Sequence, residues 1–220
     1  MNSFSNDVDI LRYEPSLFDD LHFSNQILAS GSDGVVAGTA FSAAGANFTD
    51  AQITAGMVIY LKSADGVIDG AYEIVSVAGA TLLVISVLRA DESAAPIALV
   101  DGSAIIYRVC SYQPQSSEVF LQLAAHFDLR PGSPDGKYGV DDVLDVSVLR
   151  QTAVYKTLSI IYATICGSDN DETKSFWEKS RYYTGLYEKA LQRCKVSVDL
   201  GDDGVSDSIS SGASVKLTRG

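Results

Sequence analysis

Three observations predict an α+β chain, β-rich in its first half and helical in its second. Gly and Asp turn signals separate short apolar runs every 10 to 15 residues between about positions 25 and 110. After Gln113-Pro114-Gln115 the apolar period changes from two to about 3.6. Charge changes at the same place: residues 1–114 hold 13 acids and 4 bases, whereas residues 115–195 hold 11 acids and 10 bases.

In chain order, residues 1–24 read as an N-terminal segment and residues 25–114 as a small antiparallel β barrel or sandwich. Its strand runs are Val35–Phe41, Met57–Leu61, Ala71–Val77, Thr81–Arg89 and Ser103–Val109. Between them, Gly45-Ala46-Asn47, Asp65-Gly66, Asp69-Gly70, Ala78-Gly79 and Asp101-Gly102 supply residues that tolerate positive φ. The Gly79 turn predicts a tight hairpin. Leu82 to Leu88 is apolar on both faces, which suits a central strand or one covered by a neighbouring subunit.

Residues 115–195 read as an α-helical bundle. The first helix is predicted from Ser117 to about Asp128, with Ser116 or Ser117 as N-cap. The second runs from Asp141 or Ser147 to Cys166 and carries Leu149, Leu158 and Ile161 inward. The third, Thr173 to Lys195, carries the stripe Phe176, Trp177, Tyr183 and Tyr187, which reads as packing. Val196 to Gly220, with two alternating pieces around a Gly, Ser and Asp stretch, reads as an extended C-terminal arm.

The net charge of −12 argues against a nucleic-acid grip, which needs clustered Lys and Arg. Cys110, Cys166 and Cys194 follow no CxxC spacing, so neither a disulfide framework nor a zinc site is expected. Met1 to Asp9 shows no secretory signal, and the longest apolar runs fall well short of the roughly 20 residues a bilayer requires. No Walker loop, GxGxxG, GxSxG or HExxH occurs, and His22 and His126 stand apart from each other and from any Cys. The adjacent pairs Asp19-Asp20 and Asp141-Asp142 point apart in a strand or a helix, so they do not form an acid and base couple. Asp199 to Asp207 has the look of a calcium loop, but Gly201 stands at its third position and Ser210 at its twelfth, where a bidentate Glu belongs. No catalytic residue, metal or cofactor is therefore expected.

The order of these parts resembles the head-to-tail connector, or adaptor, proteins of tailed bacteriophages. In the helical part the resemblance is carried by Ser147-Val148-Leu149-Arg150-Gln151-Thr152-Ala153-Val154-Tyr155, Ile160-Ile161-Tyr162, Phe176-Trp177-Glu178-Lys179-Ser180-Arg181-Tyr182-Tyr183, Tyr187-Glu188-Lys189-Ala190 and Val198-Asp199-Leu200-Gly201-Asp202-Asp203-Gly204. In the β part it is carried by Ala46-Asn47-Phe48-Thr49, Gly56 to Leu61, Gly70 to Val77 and Val84 to Ala90. It spans roughly residues 25 to 207.

The resemblance implies a structural virion protein without enzymatic activity, made in the host cytoplasm and placed at the head-tail neck. It implies a ring of about twelve identical subunits under the portal protein, which continues the DNA channel and meets the next neck or tail protein. DNA would pass without specific binding along an acidic lumen, and no membrane is involved. The bundle would form the ring wall. Val196, Val198, Val215, Lys216, Leu217 and Arg219 would belong to a portal-binding arm that adds strands to a partner's sheet edge. The β module is larger than in the minimal helical adaptors. Other readings are a stopper, tail-tube or head-decoration protein, or a calcium-dependent carbohydrate-binding or adhesion module.

Overall fold

The computed structural model describes residues 3–129, 139–166, 171–199 and 203–210, with the side chains of 171–173 and 208–210 outside the description. The chain divides into two units, one of Asn6–Tyr112 and the other of Met1–Ser5 with Gln113–Gly220.

The first unit is built on a closed six-stranded antiparallel barrel. Its strands are β1 (Ile27–Ala37), β2 (Ala40–Ala43), β3 (Val58–Lys62), β4 (Asp69–Gly79), β5 (Leu82–Ser86) and β6 (Gly102–Cys110). They pair in the order β1-β2-β5-β4-β3-β6, and β6 returns to β1, so the sheet keeps no free edge. Alternation sends Ile105, Tyr107 and Val109 of β6 inward with Ile59, Leu61, Ile74, Leu83 and Ile85. Phe41, Phe48 and Tyr107 meet at ring-centroid distances of 5.2–6.1 Å in the middle of this core.

The strand expected over Val35–Phe41 is instead a hairpin. Gly38, at φ +60°, turns β1 into β2 with Ala37 opposite Ala40. The β1 strand also starts earlier, at Ile27, where the small and polar run Ala29 to Gly34 hides the alternation. At the predicted Gly79 hairpin, Gly79 does face Leu82. The β5 strand ends at Ser86, and Arg89 lies beyond it, buried rather than in a strand.

Residues 1–24 are not a separate segment. From Asn6 onward they belong to the barrel unit. Helix α1 (Asp7–Leu11) is closed by a capping box between Asn6 and Asp9 and is tied to the barrel by the Val8 N–H donating to the Gly56 carbonyl at 3.1 Å. Farther on, Arg108 donates to the Phe18 and Asp19 carbonyls, and the Tyr112 hydroxyl donates to the Leu17 carbonyl at 2.6 Å. These bonds hold the N-terminal stretch against the barrel. Val58 and Tyr60 of β3, which alternate with inward Ile59 and Leu61, are buried as well.

The second unit holds α2 (Gln113–His126), α3 (Arg150–Ile165), α4 (Asp171–Arg193) and the two-stranded ribbon of β7 (Val196–Val198) and β8 (Ser208–Ser210). Helix α2 begins at Gln113 rather than Ser117, because Pro114 falls in the first turn, where its missing N–H costs nothing. Ser116 is thus a buried helical residue and not the cap. A 3-10 turn, Val146–Leu149, capped by Asp145, leads into α3. Gly167 to Asn170, between α3 and α4, lie outside the described residues.

Helices α3 and α4 run antiparallel. The pairs Tyr162 with Lys179, Ser159 with Ser180 and Tyr155 with Tyr183 advance along one helix while retreating along the other. Their seam is aromatic: Tyr162 stacks on Tyr183 at 6.0 Å and lies 6.1 Å from Phe176. A second core joins Phe4, Val119, Phe120, Leu123, Phe127, Leu149 and Ala153. Leu158 and Ile161 are fully buried, Tyr183 nearly so, and Phe176 and Tyr187 half-buried. Trp177 departs from the expected stripe. It stands 51% exposed, because the seam takes Phe176 and Tyr183, and position 177 is rotated about 100° from its neighbour.

Val196 and Val198 are fully buried in this same core and pair with β8, while Val198 also bridges to Val143. The expected free arm is therefore corrected at these two positions: apolar alternation here serves the unit's own core. Val215, Lys216, Leu217 and Arg219 lie outside the described residues.

Candidate functional site

Two surface features stand out, one on each unit. On the helical unit, a groove of about 540 Å³ is lined by Val148, Gln151, Thr152 and Tyr155 from the α3 side and by Leu186, Lys189, Ala190, Arg193, Cys194 and Lys195 from α4 and its end. Its most buried lining residues are Thr152 and Cys194; Val148, Leu186 and Ala190 add apolar surface, and three cations complete the lining. No carboxylate lines it. Lys189 and Arg193 lie four apart on one helix face, where like charges repel by a few tenths of a kcal/mol. All three cations are exposed, and among the described residues none of them has an ion-pair partner. In a chain of net charge −12, this is a locally positive, anion-accepting surface.

On the barrel unit, residues 87–101 connect β5 to β6 without regular secondary structure, a length at which loops usually serve a function. The base of this loop is pinned. Arg89 donates from Nε and Nη2 to the buried Glu73 carboxylate and from Nη1 to the Glu92 and Ala94 carbonyls at 2.7 and 2.6 Å. Ser86 Oγ accepts the Ile97 N–H at 2.8 Å, and the Leu99 N–H reaches the Gly38 carbonyl. The hydrogen bond to the Glu73 carboxylate raises the Arg89 pKa further, so the guanidinium stays charged. Beyond that base the loop is exposed: Ile97 is 50% and Val100 62% accessible, beside Asp91, Glu92 and Asp101. Leu82, at the start of β5, and Val87, just past its end, are exposed too, whereas the positions on Leu82's side of the strand between them, Val84 and Ser86, are half-buried and buried.

Titratable groups cluster in the barrel unit, where they hold structure. Asp7 is fully buried and its carboxyl is pushed up to about 7 by loss of solvent, against the lowering effect of the Ser111 hydroxyl and the Tyr112 N–H at 2.9 Å. Burial, with Asp7 nearby, drives the Cys110 thiol up to about 12. Tyr60 donates to Asp69 at 2.6 Å, and burial together with that bond raises its hydroxyl pKa.

The residues singled out in the sequence are dispersed. His22 Nδ1 lies 3.0 Å from the Asp19 carbonyl, and His126 packs edge-on against Phe127. Asp142 accepts the Gly139 N–H at 2.7 Å, while Asp141 is exposed. In the calcium-like loop, Asp199 accepts the Gly204 N–H at 2.7 Å and Asp203 accepts the Val205 N–H at 2.9 Å, so both carboxylates shape a turn; Gly201 and Asp202 lie outside the described residues. Among the described residues no group of three or more His, Cys, Asp or Glu is placed to hold a metal ion. Nor is any described helix long and apolar enough to cross a membrane. The groove cations and the 87–101 loop were not singled out in the sequence. Their available signals were the like-charged spacing of Lys189 and Arg193, and the acidic pair Asp91-Glu92 ahead of the apolar run Ile97 to Val100.

Compared with family models, curated proteins and solved structures, the chain has no match.

Proposed function

We propose that this chain is a structural connector of a bacteriophage neck, a ring-forming adaptor under the portal that joins capsid to tail and continues the DNA channel. One observation supports the reading most. A β-barrel unit with its own core precedes a helical unit with a second core, in the order that the resemblance requires. In this reading α2, α3 and α4 form a bundle that serves as the ring wall. The exposed apolar positions Leu82, Val87, Ile97 and Val100 are, in this reading, where neighbouring subunits meet. With Val196 and Val198 committed to the core, the portal-directed arm is confined to Val215, Lys216, Leu217 and Arg219. The other partner is the next neck or tail protein. DNA passes through without being gripped, because the barrel half carries most of the negative charge.

The test is native mass measurement of the purified protein alone and with portal, followed by image reconstruction of any ring. A closed ring whose channel is lined by Asp and Glu is expected. A chain that stays monomeric and never enters a particle, or a ring with a basic lumen, overturns the reading.

A further inference from the structure

The basic groove and the acidic loop are complementary in kind, and we propose that loop 87–101 of one copy docks into the α3–α4 groove of the next. The groove offers Lys189, Arg193 and Lys195 beside the apolar surface of Val148, Leu186 and Ala190. Loop 87–101 offers exposed Asp91 and Glu92, which also face Arg89, exposed Asp101, which accepts the Gly38 N–H at 2.7 Å, and exposed Ile97 and Val100. Apolar contact combined with charged groups is common at protein interfaces. Opposite charges on the two patches also steer the encounter and reject like-charged partners.

The loop is suited to this by its base. Glu73, Arg89 and Ser86 hold its ends, so docking orders less chain than a free loop of that length would require. The groove is suited by what it lacks. With no carboxylate among its lining residues, its three cations keep their attraction for an external anion. Duplex nucleic acid fits the same charges less well, because the apolar lining residues would remain unused and the acidic remainder of the chain repels phosphate. A loop from one face entering a groove on another is a heterologous contact, which repeats from copy to copy and closes into a ring when the rotation allows. The choice of a second copy as partner rests on the ring reading given above.

A charge-exchange experiment tests the contact. Lys189→Glu with Arg193→Glu reverses the groove, and Asp91→Lys with Glu92→Lys reverses the loop; all four positions are exposed, and far-UV circular dichroism checks that each variant folds. Sedimentation velocity at low and high salt then reads association. Each reversal alone is expected to weaken association by at least about tenfold, and a chain carrying both is expected to recover it. Wild-type association should weaken as salt rises. If both single reversals assemble as the wild type does, the groove contact is wrong while the ring reading stands. If the wild type is monomeric at all concentrations, with and without portal, the ring reading fails first and takes the contact with it. Retention of a duplex DNA by the wild type that the groove reversal abolishes reassigns the groove to phosphate and overturns the proposal.

Discussion

Asp7 shows how a single residue links burial to pH. Its carboxyl is fully buried, with the Tyr112 N–H and the Ser111 hydroxyl as hydrogen-bond donors and the Cys110 thiol and Tyr112 hydroxyl as its titratable neighbours. Loss of solvent outweighs these bonds, and the folded carboxyl titrates at about 7 against an ordinary 3.8. The folded state therefore holds a proton that the unfolded chain has released between those two values. Stability contributed by this group is fully present below about 3.8 and is lost as pH rises through about 7. Asp7→Asn keeps an oxygen for the Tyr112 N–H and removes the ionisation. Urea unfolding of both proteins across pH 4 to 8 should show the variant more stable at pH 8, by on the order of 1–3 kcal/mol, with the gap narrowing towards acid. A gap that is constant with pH would show that Asp7 does not titrate in this window.

At the scale of elements, period and turn chemistry made much of the fold legible. The Gly79 hairpin and the inward stripe of Leu149, Leu158 and Ile161 could be read because each is a local pattern that packing reinforces. The first half of β1 was not legible. Ala29-Ser30-Gly31-Ser32-Asp33-Gly34 carries almost no apolar signal, and its glycines are there for space. A Cβ on Gly34 would sit 2.8 Å from the Ile105 carbonyl oxygen and 2.8 Å from the Phe41 ring, at a register shift between β1 and β6. The backbone on one side cannot yield and the core on the other is full. Gly34→Ala should destabilise the barrel by about 1–3 kcal/mol, read as a lower urea midpoint at an unchanged slope. Unaltered stability would mean that β1 moves freely at that shift. The tail was misread for a related reason. The alternation of Val196 and Val198 looks the same whether a strand serves a partner or its own core, and only the assembled helices decide between them. The groove, too, exists only once α3 and α4 lie side by side.

At the scale of the whole molecule, charge and cores divide at nearly the same place. The acidic half is the barrel unit, the near-neutral half is the helical unit, and each encloses its own cluster of buried apolar residues. The barrel unit is also fastened at both ends. The Tyr112 N–H donates to Asp7 and the Tyr112 hydroxyl to the Leu17 carbonyl, so the last residue of the unit clamps its first helix and the turn that follows. A closed sheet with no free edge and its termini tied together has what independent folding requires. The fragment Asn6–Tyr112 should therefore fold alone, with dispersed amide resonances and a single cooperative unfolding transition. Ending the fragment at Val109 removes the last β6 pairing, Cys110 with Ile27 and with Val58, together with both Tyr112 bonds, so it should unfold at markedly lower urea or fail to fold. If both fragments are equally stable, the terminal clamp contributes nothing. If neither folds, the barrel depends on the rest of the chain, and the two cores are parts of one cooperative body rather than two units that a ring can use for separate contacts.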